Sequence, residues 1–124
     1  MSRTFELRAD QREDVNVLAV LGELDVATAP HFRRAVGGLL GGEARLLAVD
    51  LTETDFLDSS GLGALVWALF RMRAAGGDIV VVNDDDGTIR ATIAMARLAD
   101  LIPLERTLGD GLERLHLAAE TTAA

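Results

Sequence analysis

The chain has no cysteine, few aromatic side chains, too few basic groups to balance its acids, and no hydrophobic run long enough to span a bilayer. Without thiols there are no disulfides and no thiolate metal sites. Aromatic residues make up only 4% of a composition that is 49% hydrophobic, so the core must be built from Leu, Val, Ile and Ala. The 12 basic residues stand against 20 acidic ones, a formal charge of −8. Binding to a nucleic-acid backbone rests on clustered Lys and Arg, so a nucleic-acid partner is not expected, and an anionic membrane surface is disfavoured in the same way. The longest uncharged apolar stretch, Gly61 to Phe70, stops at Arg71, well short of the roughly 20 residues of a membrane span. Met1-Ser2-Arg3-Thr4 leads into charged sequence without the apolar segment of a signal peptide, and a cytoplasmic protein without membrane insertion is expected. Enzyme signatures are also missing: there is no GxxxxGKS/T loop, no GxGxxG, no HExxH and no GxSxG.

What is present reads as one α/β domain over residues 1–124. A chain of 124 residues can bury roughly two-thirds of the surface that its unfolded form exposes, enough for a core without staples. Phe5 and Leu7 alternate with Glu6 and Arg8 as a half-buried strand, and after the polar stretch Asp10 to Asp14 the segment Val15 to Leu21 pairs with it as a hairpin. From Ala29 to Leu40 the residues Phe32, Ala35, Val36, Leu39 and Leu40 form the apolar stripe of a helix, with Thr28 as its N-cap, Pro30 in its first turn and Gly41-Gly42 beyond its end. Leu46 to Leu51 and Ile79 to Val82 are continuous apolar runs, the pattern of parallel strands covered on both faces. Between them a helix is expected from Ser59 to Ala75, packed by Leu62, Leu65, Val66, Leu69 and Phe70, with Gly76-Gly77 as its exit. A third helix over Thr88 to Leu98, a short strand over Ile102 to Arg106 and a helix over Asp110 to Ala118 follow, and the end, about residues 119–124, is expected to fray. The order β-β-α-β-α-β-α-β-α describes a mixed sheet with a parallel core and packed helices.

The segment Asp55-Phe56-Leu57-Asp58-Ser59-Ser60-Gly61-Leu62-Gly63 joins hydroxyls to a helix start at the C-terminal edge of the sheet. With Asp58 as N-cap, Leu57 and Leu62 occupy the positions of a hydrophobic staple, and neither Ser59 nor Ser60 is needed for capping. A phosphate on either serine would face unpaired backbone N–H groups. Gly61 and Gly63 each cost a helix roughly 1 kcal/mol relative to Ala, and they leave room for a second backbone to approach. The same residues also read simply as a good helix start.

Other polar features read as structural. His31 and His116 sit on helices with no Ser or Asp partner nearby in the sequence and are taken as surface or boundary residues. Asp84-Asp85-Asp86-Gly87 lacks the alternating ligands and distant Glu of a calcium loop and reads as a solvated turn with a helix cap. Trp67 lies off the main stripe and reads as partly buried against a neighbouring helix, with an interface anchor as the alternative.

Two motifs at this spacing carry a family resemblance: Gly22-Glu23-Leu24-Asp25 with Thr28, and Asp50-Leu51 with Phe56-Leu57-Asp58-Ser59-Ser60-Gly61-Leu62-Gly63, followed by Gly76-Gly77 and a Val-rich strand. Over nearly its whole length the chain resembles the STAS family, specifically the bacterial anti-sigma factor antagonists. The resemblance implies a non-enzymatic partner switch without a cofactor. The unphosphorylated protein would bind an anti-sigma factor that is also a serine kinase, freeing the sigma factor; the kinase would end the capture with ATP, and a PP2C-type phosphatase would reset it. It implies Ser59 as phosphoacceptor, with Asp25, Thr28, Asp58, Ser60, Gly61, Leu62 and Gly63 on the partner-binding segments. A STAS scaffold in a stress-signalling complex or a lipid transporter, with Ser59 unmodified, is the alternative. A small hydrolase using Ser59 or Ser60 is a third class. Where many antagonists carry a Pro after the fourth strand and Ser-Gly-Leu before the fifth, this chain has Asn83 to Gly87 and Ala96-Arg97-Leu98, departures that bear on which kinase is recognised.

Overall fold

The computed structural model describes residues 4–42, 45–85 and 87–123, with side chains described as far as Ala119. The elements run β1 (Glu6–Arg12), β2 (Val15–Leu24), α1 (Ala29–Leu40), β3 (Leu46–Asp50), β4 (Thr54–Leu57), α2 (Ser59–Ala74), β5 (Asp78–Val82), α3 (Thr88–Met95), β6 (Leu104–Glu105) and α4 (Leu108–Ala123). The sheet order is β1-β2-β3-β5-β6, with β4 paired to β2 off that path. Among the described residues only the β1/β2 pairing is antiparallel and every other pair is parallel, so the α/β architecture with a mixed sheet and a parallel core is as expected.

The apolar runs of β3 and β5 are sorted by the period-two alternation of a strand. Leu47, Val49, Ile79 and Val81 join a core shared with α1, α2 and α3, while Leu46, Ala48, Val80 and Val82 face Leu115 of α4 on the other side of the sheet. In α1, Phe32 and Val36 are fully buried, and Ala35, Leu39 and Leu40 pack around them. Burying a side chain of the size of Phe32 contributes about 1.5–3 kcal/mol.

Several expected boundaries move, each for a local reason. β1 continues through the polar residues Asp10, Gln11 and Arg12, because an edge strand takes its identity from backbone pairing to β2 and needs no buried face. Glu13, at φ 57°, and Asp14 then make the turn. β2 runs on to Leu24: its first half pairs with β3 and its second half, past an irregularity at Gly22, pairs with β4. The strand β4 is not signalled by the sequence, having only four residues with Thr54 and Leu57 inward and Asp55 and Phe56 exposed. The exit of α2 is as expected: Gly76 takes the left-handed conformation at φ 85°, and the N–H of Gly77 reaches back to the carbonyl of Met72. The end of α3 uses the same motif without a glycine. Arg97 sits at φ 59° and the N–H of Leu98 bonds to the carbonyl of Ile93, so the helix stops at Met95 rather than Leu98.

Phe70, expected on the packed stripe of α2, is 57% exposed. The buried arc of α2 is Gly61, Leu62, Ala64, Leu65, Ala68, Leu69 and Met72, and at 3.6 residues per turn Phe70 falls on the opposite side. The short strand expected over Ile102 to Arg106 is reduced to Leu104–Glu105, with Ile102 buried before it. α4 begins at Leu108 and continues over Thr121, Thr122 and Ala123 of the stretch expected to fray; Ala124 lies outside the described residues.

Asn83 is 1% exposed at the end of β5. Its amide donates to the carbonyl of Leu51, its side-chain oxygen accepts from the N–H of Asp85, and its own carbonyl accepts from Arg90. It ties the ends of β3 and β5 to α3. Asp85 then accepts from the N–H of Gly87, which is the N-cap of α3 and offers no side chain for capping. Asp86, in the middle of the acidic run, lies outside the described residues.

Candidate functional site

The parallel pairing of β2 with β4 puts Leu24 opposite Leu57, so the chain leaves the sheet at two adjacent points, once at Asp25 and once at Asp58. The N–H of Asp58 lies 3.4 Å from the carbonyl of Leu24. Two motifs 33 residues apart in sequence thereby become neighbours at one edge of the sheet.

At the first exit the polar groups are spent on the chain itself. Asp25 Oδ1 accepts from the N–H groups of Ala27 and Thr28 at 3.0 and 3.1 Å. The Thr28 hydroxyl donates to the carbonyl of Glu23 at 2.7 Å and accepts from the N–H of Asp25 at 2.9 Å. Thr28 is the N-cap of α1 by position, but its hydroxyl turns back to the preceding loop instead of capping the helix.

At the second exit the carboxylate does the capping and the hydroxyls are left over. Asp58 Oδ1 accepts from the N–H of Gly61 at 2.9 Å, as expected of an N-cap. Leu57 and Leu62 are both buried in the same core cluster, as a hydrophobic staple requires. Ser59 is exposed and Ser60 half-buried, and among the described residues neither hydroxyl takes part in a hydrogen bond, to His31, to His116 or to any other group.

The two glycines differ. A β-carbon on Gly61 would stand 2.3 Å from the carbonyl oxygen of Leu24 and 2.6 Å from Leu57 Cδ1, so the close backbone approach that Gly61 permits is made by this chain's own β2. A β-carbon on Gly63 would meet nothing closer than the guanidinium of Arg33, at 3.7 Å. Gly63 is exposed and shares the outer side of α2 with Ser59 and Phe70. Of the residues expected to meet a partner, Ser59 and Gly63 are on the surface, Asp25, Thr28, Asp58 and Ser60 are half-buried, and Gly61 and Leu62 are turned into the core, where they shape the turn rather than form its outer face.

The histidines are elsewhere. His31 is exposed with its ring 6.1 Å from that of Phe5. His116 has a carboxylate partner that only the fold supplies: its Nε2 lies 2.6 Å from Asp14 Oδ1 and 3.6 Å from Glu13 Oε2, across 102 residues of sequence in the first case. Hydrogen bonding from His116 holds the Asp14 carboxyl below the usual carboxylate range. These three side chains offer metal-ligand atoms within 4.8 Å of one another, but they stand at the β1/β2 turn, at the opposite end of β2 from Asp25. Trp67 is half-buried against the core, with the Arg71 guanidinium 5.8 Å from its ring centroid.

The family model for the STAS domain matches residues 6–111. The anti-sigma-B factor antagonist of Listeria monocytogenes is 28% identical over 110 residues, 89% of this chain and 95% of that protein. An anti-sigma factor antagonist from Mycobacterium paratuberculosis has a similar crystal structure, with a TM-score of 0.82 at 28% identity over 91% of this chain and 95% of that one. The Bacillus cell fate determinant SpoIIAA in its phosphorylated form matches with a TM-score of 0.65 at 20% identity, covering 90% and 98% of the two chains, a likeness of fold. No helix among the described residues is long and apolar enough to cross a membrane.

Proposed function

The chain belongs to the STAS-domain family, and from that premise we propose that it is an anti-sigma factor antagonist working by partner switching. The unphosphorylated protein binds an anti-sigma factor serine kinase and so releases the sigma factor. The kinase then transfers the γ-phosphoryl group of ATP to Ser59 Oγ, the hydroxyl proton is lost, ADP leaves, and binding ends. A PP2C-type phosphatase restores the hydroxyl by hydrolysis, in which water takes the phosphoryl group, inorganic phosphate leaves and the proton returns to Ser59 Oγ. What carries this reading is the state of Ser59: exposed, with a hydroxyl that makes no hydrogen bond among the described residues, and held at the first turn of α2 by a cap that another residue supplies. The similarity to two named antagonists at 28% identity supports it.

The energetics place the switch at the interface and not in the fold. A phosphate adds about −1.5 to −2 charges, and the helix N-terminus favours it by about 0.3–1 kcal/mol. Asp58 opposes it, since two unit charges about 6 Å apart repel by roughly 0.7–3 kcal/mol for dielectrics between 80 and 20. The balance runs against the phosphate by up to a few kcal/mol, which stays within the ~5–15 kcal/mol stability of an ordinary domain. Burying the phosphate against a partner without a matched cation costs several kcal/mol, and each 1.4 kcal/mol is about tenfold in affinity.

The test is phosphosite mapping by mass spectrometry on protein recovered from growing and stressed cells, joined to binding measurements on Ser59→Asp. Phosphate on Ser59 that varies with condition, and at least a tenfold loss of affinity for the anti-sigma partner in the variant, are expected. Absence of phosphate in every condition, or wild-type affinity in Ser59→Asp, would sink the partner switch in favour of a scaffold role.

A further inference from the structure

A phosphate on Ser59 enters an acidic neighbourhood, with Asp58 before it and Asp25 at the adjacent strand exit. We propose that Arg33 is the intramolecular counter-ion of that phosphate, an inference that rests on the reading of Ser59 as acceptor. Arg33 follows the buried Phe32 on α1, and its guanidinium nitrogen lies 3.7 Å from the point that a β-carbon of Gly63 would occupy. Gly63 is four residues after Ser59, so the two share a helix face with about 5–6 Å between their β-carbon positions. The guanidinium therefore rests within about 9–10 Å of the Ser59 β-carbon, inside the reach of a flexible arginine, and beside a residue with no side chain to stand between them.

Arg33 is also available. It is exposed and makes no hydrogen bond or ion pair among the described residues. Several other arginines are engaged: Arg73 with Asp78, Arg114 with Glu105, Arg90 with the carbonyl of Asn83, Arg45 with the carbonyl of Gly42. Turning toward Ser59 costs Arg33 no existing partner. Its planar fork matches phosphate oxygens two at a time, which a point charge does not. Held in this way, the phosphate is partly neutralised against Asp58 and lies over Gly63, on the outer side of α2 that a partner covering Ser59 must approach. The pairing explains how one charge is tolerated by the fold and still placed to block an interface.

The experiment is a phosphorus NMR titration of the full chain with phosphoserine installed at position 59 by genetic encoding, so that no kinase is needed. The second phosphate pKa of the otherwise unchanged protein, set against the ordinary value of about 6, is the reference for the variants. Arg33→Gln should raise it by about half a unit, Arg33→Lys should fall between, and Arg34→Gln, one residue further round the helix, should leave it unmoved. Equal values in the unchanged protein and Arg33→Gln, or an equal rise in Arg34→Gln, would overturn the assignment. Either result leaves the partner switch standing, since that reading fails instead on the absence of Ser59 phosphate from cells.

Discussion

The chain leaves its sheet twice by the same recipe, Leu24-Asp25 into α1 and Leu57-Asp58 into α2, and the two junctions use their polar groups differently. At the first, the carboxylate of Asp25 and the hydroxyl of Thr28 bind backbone groups of the loop between Glu23 and Thr28. At the second, Asp58 alone satisfies the Gly61 N–H, and the hydroxyls of Ser59 and Ser60 remain unbonded among the described residues. A threonine whose hydroxyl is consumed holds a loop shut; a serine whose capping duty is taken by its neighbour is free for chemistry.

The two junctions differ most sharply at the glycines of α2. Gly61→Ala sets a β-carbon against the Leu24 carbonyl, and overpacking of this kind costs about 3 kcal/mol, against roughly 1 kcal/mol regained in helix propensity. A net loss of about 2 kcal/mol in urea unfolding is expected, while Gly63→Ala, with nothing but the flexible Arg33 nearby, should be neutral or stabilising by up to about 1 kcal/mol. If both glycines behave alike, the close approach of β2 is not what Gly61 serves. The hydroxyls come next. Thr28→Val removes a donor to Glu23 and an acceptor for Asp25, and should lower stability by about 1–2 kcal/mol. Ser59→Ala should stay within about 0.5 kcal/mol of the parent in the same unfolding measurement while abolishing phosphorylation.

The smallest effect is expected at the far end of β2. Asp14, depressed by its hydrogen bond to His116, contributes stability that is present above the unfolded carboxyl pKa and is lost as pH falls through the lower folded value. Because Asp14 is 64% exposed, the contribution is below about 1 kcal/mol. Asp14→Asn should therefore be slightly less stable than the parent at pH 5, with the unfolding midpoints converging as the pH is taken below about 4. Such a change should leave partner binding untouched, since it lies a strand's length from Ser59.

Local periodicity was enough for most of the architecture. The stripe of α1, the doubly buried runs of β3 and β5, the glycine exit of α2 and the Asp58 cap all follow from spacing and side-chain type, because each is decided by neighbours within one or two turns of chain. The Schellman end of α3 was not legible, since Arg97 occupies a conformation that the sequence rule reserves for Gly or Asn. Phe70 is outside the core because α2 packs on an arc filled out by Ala64 and Ala68, and which arc of an apolar helix faces inward is settled by the surface it meets.

Contiguous residues were enough to set every strand and helix except β4, the two Asp-led junctions, and a cap at Asp58 that needs neither Ser59 nor Ser60. Only the tertiary structure decided that β4 pairs with β2, that Leu24 and Leu57 therefore set those junctions side by side, that Gly61 answers to the Leu24 carbonyl, and that Arg33 lies over Gly63. Those contacts join residues tens of positions apart, and their existence depends on the register and packing of whole elements, which no local pattern carries.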